Sequence, residues 1–279
     1  MSASDDNGSF DVAEVNSAIG GTEFAGCVLH LRSVASTNDL ALEAAHAGAR
    51  HGVWIADEQT AGRGRGAHSW HSAVGDGLYM TALASPAVPL QSALSLSFRV
   101  AIAVQSAIAS VCGFRIREEI DIRWPNDLLL NGRKCGGILI ETSAGSAPAS
   151  GPAMLKYAVI GIGINVNHTA FPAELDGIAT SLRRELAGSG GPVRREALAA
   201  AILVALDGEL RALTQPATAP KRAAEFSSWI NGKRVRVEAR DGVPSYTGTS
   251  AGLDSQGFLR VAGDDGELHT VLSGGLREP

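Results

Sequence analysis

The sequence predicts an α+β protein, with a large domain built on a mixed β-sheet and a small all-β domain at the C-terminal end. Before residue 228, apolar segments of strand length alternate with long Ala- and Leu-rich stretches of helical periodicity. After it, short alternating segments are broken by Gly257 and by the Asp-Asp-Gly turn at 264–266, which is typical of a small barrel. The sequence shows no internal repeat.

The elements of the large domain follow from local signals. Residues 36–38 (Ser-Thr-Asn) are good N-cap types between a strand at 27–31 and an Ala-rich helix that ends at Gly48. Asn131-Gly132 predicts a hairpin turn. The other predicted strands are 52–58, 78–84, 120–124, 127–130, 135–141 and 156–166, the other helices are 90–112 and 194–213, and the longest loops are 60–75 and 167–180.

The domain boundaries follow from changes in composition. Residues 1–26 are rich in Ser, Gly, Asn and Asp and are predicted to be a flexible N-terminal extension. Residues 27–227 then form the large domain, and residues 228–279 form the small one.

Composition limits the classes of function. The chain has 279 residues, 45% of them hydrophobic, and a net charge of −5 without a long basic run, so the overall charge does not favour nucleic-acid binding. Its three cysteines, Cys27, Cys112 and Cys135, lie far apart, which argues against a disulfide framework and a zinc site. We find no secretory signal and no apolar stretch near membrane-spanning length, and therefore expect a cytoplasmic protein.

Two segments combine residues that could bind a ligand with an unusual backbone. One is rich in glycine and the other contains a proline turn. In residues 62–66 (Gly-Arg-Gly-Arg-Gly), glycines let the backbone approach a ligand, and two guanidinium groups can bind carboxylate or phosphate. A flexible solvated loop and an RNA-binding segment are alternatives. Residues 123–127 (Arg-Trp-Pro-Asn-Asp) set an amide beside a carboxylate, although an ordinary turn explains the same pattern.

Two further segments combine glycines with strands. In residues 132–141, Lys134 enters an apolar strand, and Gly136 and Gly137 leave room for a substrate against the backbone; a solvated lysine is the alternative. In residues 161–167 (Gly-Ile-Gly-Ile-Asn-Val-Asn), the glycines are explained equally well by close strand packing.

Taken in order, with residues 36–38 and 58–61 (Glu-Gln-Thr-Ala) ahead of them, these segments closely resemble the biotin protein ligase family over residues 27–279. The resemblance implies a catalytic domain of the biotin/lipoate ligase type and an SH3-like C-terminal barrel. It also implies a monofunctional enzyme without an N-terminal DNA-binding domain, because residues 1–26 are few and contain no Lys or Arg.

The family's reaction has two steps. Biotin and MgATP give biotinyl-5′-AMP and pyrophosphate, and a lysine of a biotin carboxyl carrier domain then takes the biotinyl group. The implied partners are the carrier domains of acyl-CoA or pyruvate carboxylases, with neither nucleic acid nor membrane, for a monomer or weak homodimer. Mg²⁺ is expected to be carried mainly by ATP, and no metal ligand is assigned.

The resemblance also implies roles for individual residues. Lys134, Arg63 and Arg65 would neutralise charge that develops around the α-phosphate, and Asp127 would be the base that deprotonates the acceptor lysine. The expected biotin contacts are Ser36, Thr37, Asn38, Gln59, Gly62, Arg63, Gly64, Arg65, Lys134, Gly136, Gly137 and Gly161. The expected ATP and adenylate contacts are Arg65, Trp70, Asn126, Asp127, Lys134 and Asn165.

The chain departs from the family pattern after Gly66, where Ala67 and His68 stand in place of the usual glycine and basic residue. A lipoate ligase or octanoyltransferase is the nearest rival, but residues 62–66 and 124–127 are not expected there. A nucleic-acid-binding protein would need a basic face with interleaved aromatic residues. A thioester route through Cys135 is disfavoured because neighbouring side chains on a strand point to opposite faces.

Overall fold

The computed structural model describes residues 10–90, 93–145, 152–186, 191–213, 224–239, 244–272 and 274–279. Its helices are α1 (Val12–Ala18), α2 (Thr37–His46), α3 (Ala93–Cys112), α4 (Leu182–Glu185) and α5 (Arg195–Ala212). The strands before residue 200 are β1 (Val28–Val34), β2 (Gly52–Gln59), β3 (Gly77–Ala84), β4 (Ile120–Arg123), β5 (Asp127–Leu130), β6 (Arg133–Ala144) and β7 (Leu155–Asn165). The remaining strands are β8 (Asn231–Val237), β9 (Tyr246–Leu253), β10 (Leu259–Gly263), β11 (Leu268–Val271) and β12 (Leu276–Arg277).

The large domain is a seven-stranded mixed sheet in the order β1-β2-β3-β7-β6-β5-β4. Only β1 and β2 are parallel neighbours among these strands. The β5–β6 turn is the hairpin predicted from the sequence, with Asn131 at φ 48° and Gly132 at φ 79°, both in the left-handed region that tight hairpin turns require. The predicted α+β class with a mixed sheet is confirmed.

The two faces of this sheet have different coverings. Ile160, Ile162 and Ile164 of β7 belong to a large apolar core with α3 and α5, and Leu198 and Ile202 of α5 are fully buried there. On the opposite face, α2 covers only one end of the sheet. There Ala41 and Ala45 of α2 form a second, smaller apolar cluster with the strand residues Leu83, Tyr157 and Val159. The rest of that face, where β7 carries glycines, is left for the candidate site.

Helix α3 corrects one expectation from the sequence. Its stretch Ser95–Cys112 has a mean hydropathy of 1.5, so by length and composition this described helix is long and apolar enough to cross a membrane. In the fold, 61% of that stretch is buried. Its apolar residues pack in the core between the sheet and α5.

The N-terminal segment corrects a second expectation. Residues 1–9 lie outside the described part of the chain, but residues 10–26 are not a flexible extension. Asp11 caps α1 by accepting hydrogen bonds from the backbone N–H groups of Ala13 and Glu14, at 2.9 and 3.0 Å. Val15 and Phe24 are completely buried in the main core. The prediction was based on the Ser- and Asn-rich composition of the segment and overlooked the few apolar residues that pack into the core.

The C-terminal sheet has the order β11-β10-β9-β8-β12, with antiparallel neighbours throughout. The short alternating segments predicted from the sequence are 235–237, 258–261 and 268–271, which correspond to β8, β10 and β11; β9 and β12 were not predicted. Trp229 and Val235 join the core of the large domain, and the Trp124 indole N–H donates to the Gly257 carbonyl at 3.4 Å. The small domain is therefore packed against the edge of the large sheet at β4.

Candidate active site

A pocket lies on the glycine-bearing face of the large sheet. The α2 N-terminus, the loop after β2 and strands β3, β6 and β7 surround it. The predicted site residues that line it are Ser36, Thr37, Asn38, Gln59, Arg63, Gly64, Arg65, Trp70, Asn126, Lys134, Gly137 and Gly161. Residues from separate segments of the sequence therefore meet in one concave site.

The floor of this pocket is a network of buried polar groups. Gln59 Oε1 accepts hydrogen bonds from the Thr37 backbone N–H and hydroxyl, at 2.9 and 3.0 Å. The Thr81 hydroxyl lies 2.8 Å from Thr37 Oγ1 and 2.7 Å from Asn38 Oδ1, and its single proton serves one of them at a time. One acceptor therefore stays available for an N–H group of a ligand.

Glu141 connects the floor to the glycine-arginine loop. It accepts a hydrogen bond from Asn38 Nδ2 at 2.9 Å and a pair from the Arg63 guanidinium at 3.1 and 2.7 Å. Asp39 lies 2.8 Å from the same guanidinium. The hydrogen bonds that Arg63 donates to Glu141, together with the negative charges of Glu141 and Asp39, raise the pKa of Arg63, so this cation is fixed beside the pocket.

Lys134 is held by an ion pair at the inner end of the pocket. Its Nζ lies 2.6 Å from Asp127 Oδ1, and Arg123 donates to Asp127 Oδ2 at 2.6 Å. Burial of Asp127 favours its neutral form, but the two cations outweigh burial and lower the pKa of this carboxyl. Asp127 is therefore ionised, and it sets the position of the lysine ammonium.

A β-bulge places Lys134 on the pocket face. Between β5 and β6, Leu129 pairs with Lys134 and Leu128 with Gly136, so Cys135 is an extra residue on β6. Because of it, Lys134 and Gly137 share a face although they are three residues apart; a Cβ at Gly137 would lie 3.6 Å from Lys134 Nζ. Cys135 is completely buried on the core side, as predicted, and burial raises the pKa of its thiol to about 12.

Gly136, which is predicted to contact biotin, is not among the residues that line the pocket, and its contact with biotin stays a prediction. Gly136 faces the core, where a Cβ would lie 2.6 Å from Ile164 Cδ1. On the pocket side the glycines make room for Trp70, since a Cβ at Gly163 would lie 2.7 Å from its indole ring. The buried Trp70 Nε1 has no hydrogen-bond partner within the described residues.

The remaining predicted residues lie around this pocket. Arg65 donates to Asn126 Oδ1 at 3.0 Å, which ties the loop to the turn before β5. Gly62 is buried outside the lining, close to the Trp70 carbonyl. Asn165 lines a second, adjoining pocket that shares Gln59, Trp70 and Lys134 with the first. Lys134 thus lies where the two pockets meet.

Two family models match this chain. The Biotin/lipoate A/B protein ligase family matches residues 31–165, and the Biotin protein ligase C terminal domain matches residues 231–274. The bifunctional ligase/repressor BirA of Bacillus subtilis is 34% identical over 236 residues, which cover 84% of this chain and 68% of that protein. The biotin–[acetyl-CoA-carboxylase] ligase of Mycobacterium tuberculosis is 33% identical over 226 residues, covering 80% of this chain and 77% of that protein. This chain belongs to the biotin protein ligase family.

Solved structures of biotin protein ligases have the same fold. The Aquifex aeolicus enzyme in complex with biotin and ATP superposes with a TM-score of 0.72 at 23% identity, covering 91% of this chain and all of that one. The Leishmania major enzyme in complex with biotin gives 0.59 at 25% identity, covering 89% and 99%. The arrangement of both domains is therefore that of a biotin protein ligase.

Sequence reasoning missed some residues in and around this ligase's pocket. Thr81 is the polar residue of β3, a strand that is buried along its whole length, and that contrast was a usable signal. Glu141 and Gly163 stood inside the segments singled out above, without a role. Arg123 likewise stood in the segment 123–127 without a role. Nothing in the sequence pointed to Asp39, because its partner Arg63 is distant in the chain.

The described residues of this ligase contain no group of three His, Cys, Asp or Glu side chains able to hold a metal ion. Both carboxylate oxygens of Asp127 are bonded to cations, so they do not suit Mg²⁺ in this arrangement. The described residues fit magnesium poorly as a resident ion, and we assign no protein ligand to it.

Proposed function

We propose that this chain activates biotin with ATP as biotinyl-5′-AMP and transfers the biotinyl group to a lysine of a carrier protein. The observation that carries the proposal is the position of Lys134, a cation held at the junction of two pockets. The first pocket takes biotin and the second takes the nucleotide. The two reacting groups then meet beside Lys134.

The floor of the first pocket supports biotin as the substrate. The ureido ring of biotin has two N–H donors and one carbonyl acceptor. Thr37, Asn38 and Gln59, which line the pocket, offer hydroxyl and amide partners for both. The dithiolane ring of lipoate has no N–H or carbonyl group. It could form no hydrogen bond with these hydroxyl and amide groups, so the polar floor favours biotin over lipoate.

In the first step, a biotin carboxylate oxygen attacks the α-phosphorus, and the bond from that phosphorus to the pyrophosphate oxygen breaks. Negative charge then concentrates around the phosphorus, where fixed cations stabilise it more than water does. Lys134 and the loop arginines Arg63 and Arg65 supply these cations. Asp127 holds the Lys134 ammonium in place before substrates bind, so little reorganisation is needed.

In the second step, the amine of the carrier lysine attacks the acyl carbon, AMP leaves, and the amine loses a proton. The ordinary pKa of such a lysine is about 10.4, so an effective base should have a raised pKa. Asp127 has a lowered one because of Lys134 and Arg123. We therefore propose that in this arrangement Asp127 positions Lys134 and that it is a weak candidate for the base.

We also propose the acceptor proteins, the compartment and the oligomeric state. The acceptors are biotin carboxyl carrier domains of acyl-CoA or pyruvate carboxylases, acting in the cytoplasm, where the three unpaired cysteines suit a reducing medium. A monomer or weak homodimer is proposed. The net charge of −5 supports an enzyme without nucleic-acid or membrane partners, and this 279-residue chain should give no specific gel shift with biotin-operon DNA.

The test of the function is incubation of the protein with biotin, MgATP and a biotin carboxyl carrier domain, followed by intact mass measurement. One biotinyl group should be added per carrier, and a carrier whose acceptor lysine is replaced by arginine should stay unmodified. A parallel reaction with lipoate and a lipoyl domain is the control for the rival. Addition of lipoyl instead of biotinyl would refute the proposal.

A further inference from the structure

The segment before α4 is bonded to the backbone of Lys134. The Lys134 backbone N–H donates to the Ile178 carbonyl, and the Thr180 N–H donates to the Lys134 carbonyl, both at 2.9 Å. Asn165 Nδ2 donates to the Thr180 carbonyl at 3.0 Å. Thr180 therefore connects the lysine of the first pocket with a residue of the second one.

Residues 178–180 form the C-terminal end of the loop that lines the second pocket. Phe171, Leu175 and Ala179 of this loop contribute to that pocket together with Lys134 and Asn165. A shift of residues 178–180 would consequently move the nucleotide side of the site relative to Lys134. The biotin-facing residues on α2, β2 and β3 make no hydrogen bond to this segment among the described residues.

Glu185, at the end of α4, fixes this segment. Its carboxylate accepts hydrogen bonds from the Thr180 hydroxyl, from the Arg133 guanidinium and, at 2.7 Å, from Asn131 Nδ2. Its side chain is only 8% exposed. Burial alone would favour the neutral acid, but these partners outweigh burial and lower the pKa of Glu185. The carboxylate is therefore ionised, and it bonds both the β5–β6 hairpin, through Asn131 and Arg133, and the segment before α4, through Thr180.

We propose that Glu185 is a positioning residue for nucleotide activation, which locks residues 178–180 and the β5–β6 hairpin together around Lys134. The inference rests on the proposed function and deepens it. Glu185 itself lines neither pocket, so it acts through Lys134 and the loop. Its loss should affect steps that involve ATP while biotin binding is preserved.

The test compares Glu185→Gln with Asp264→Asn as the matched control. Asp264 also accepts from an arginine and a threonine hydroxyl, those of Arg234 and Thr247, but it lies in the C-terminal sheet domain. Three quantities are measured for each protein: kcat/KM for ATP in biotin-dependent pyrophosphate release, the Kd of biotin by calorimetry without ATP, and hydrogen exchange of the Lys134 and Thr180 amides.

Glu185→Gln should lower kcat/KM for ATP by about tenfold, since a small misplacement of a charge-stabilising group is costly. Its Kd for biotin should stay within about twofold, and the Lys134 and Thr180 amides should exchange faster. Asp264→Asn should change none of the three. Unchanged kcat/KM for ATP, or equal losses for ATP and biotin, would overturn the positioning role. A wild-type protein that releases no pyrophosphate would overturn the proposed function, whereas the exchange measurement would still test the lock.

Discussion

Replacing Lys134 by alanine removes one partner of a carboxylate and one cation of the candidate site. Asp127, whose side chain is 16% exposed, keeps its second partner, because Arg123 donates to the other carboxylate oxygen at 2.6 Å. The remaining ion pair prevents an uncompensated buried charge. We therefore expect the variant to fold.

The two effects of this change differ in size. Lys134 is 36% exposed, so its ion pair is partly screened and its loss should cost about 1 kcal/mol of stability. Removal of a fixed charge-stabilising group typically costs about 3 to 4 kcal/mol in the barrier, or a factor of 10² to 10³ in kcat. The loss of rate should thus exceed anything that unfolding explains.

The assay is biotin-dependent pyrophosphate release at saturating ATP, alongside circular dichroism and a urea titration. Lys156→Ala is the matched control, since Lys156 is an exposed lysine on β7 outside the pockets. It should retain normal kcat. If Lys134→Ala releases pyrophosphate at more than about a tenth of the wild-type rate, the charge-stabilising role of Lys134 is refuted.

Three further predictions concern other parts of the molecule. Phe24→Ala should cost about 3 to 5 kcal/mol of unfolding free energy because Phe24 is completely buried, whereas Leu29→Ala, at 51% exposure, should cost little; equal urea midpoints would contradict the packing of residues 10–26. Burial lowers the pKa of His168 from 6.5 to about 4, because the folded protein disfavours its protonated form. As the pH drops from 6.5 to 4 the unfolded chain therefore gains protons first, and the free energy of unfolding should fall by up to about 3 kcal/mol. Urea titrations of His168→Gln should show a smaller fall over this pH range. Arg65→Gly removes the contact with Asn126 and should release biotinyl-5′-AMP, which labels lysines of a bystander protein in mass spectra; labelling confined to the carrier would count against this role.

The sequence predicted those elements whose signals are local. The N-cap residues 36–38 lie at the start of α2, and the Asn131-Gly132 turn joins β5 and β6. The glycine-arginine loop and the segment at 123–127 meet through Arg65 and Asn126, as the resemblance required. The helix cap and the hairpin turn depend on residues close together in the chain, so a linear pattern reveals them. Arg65 and Asn126 are 61 positions apart, and only the family resemblance predicted that they belong to one site.

Long-range packing was less accessible. Val12, Val15 and Ile19 stand at helical spacing behind Asp11, yet the polar composition around them concealed the helix. Whether they are buried depends on β1 and α5, far along the chain, against which α1 packs. Likewise, the bond between Asn38 and Glu141 joins residues 103 positions apart.

The bulge at Cys135 has a consequence for variation of the gene. Removing this one residue would give β5 and β6 an uninterrupted ladder, because the extra position disappears. Lys134 would then stand two residues before the present Gly137, and residues two apart on a regular strand share a face, so the lysine would still point to the pocket. What the deletion would remove is the buried Cys135 thiol and the local twist that a bulge adds to its strand. An insertion or deletion of one residue at any other position between Lys134 and Gly137 should be judged by the same rule: the pocket face is kept when the spacing is two on a regular strand or three across a bulge.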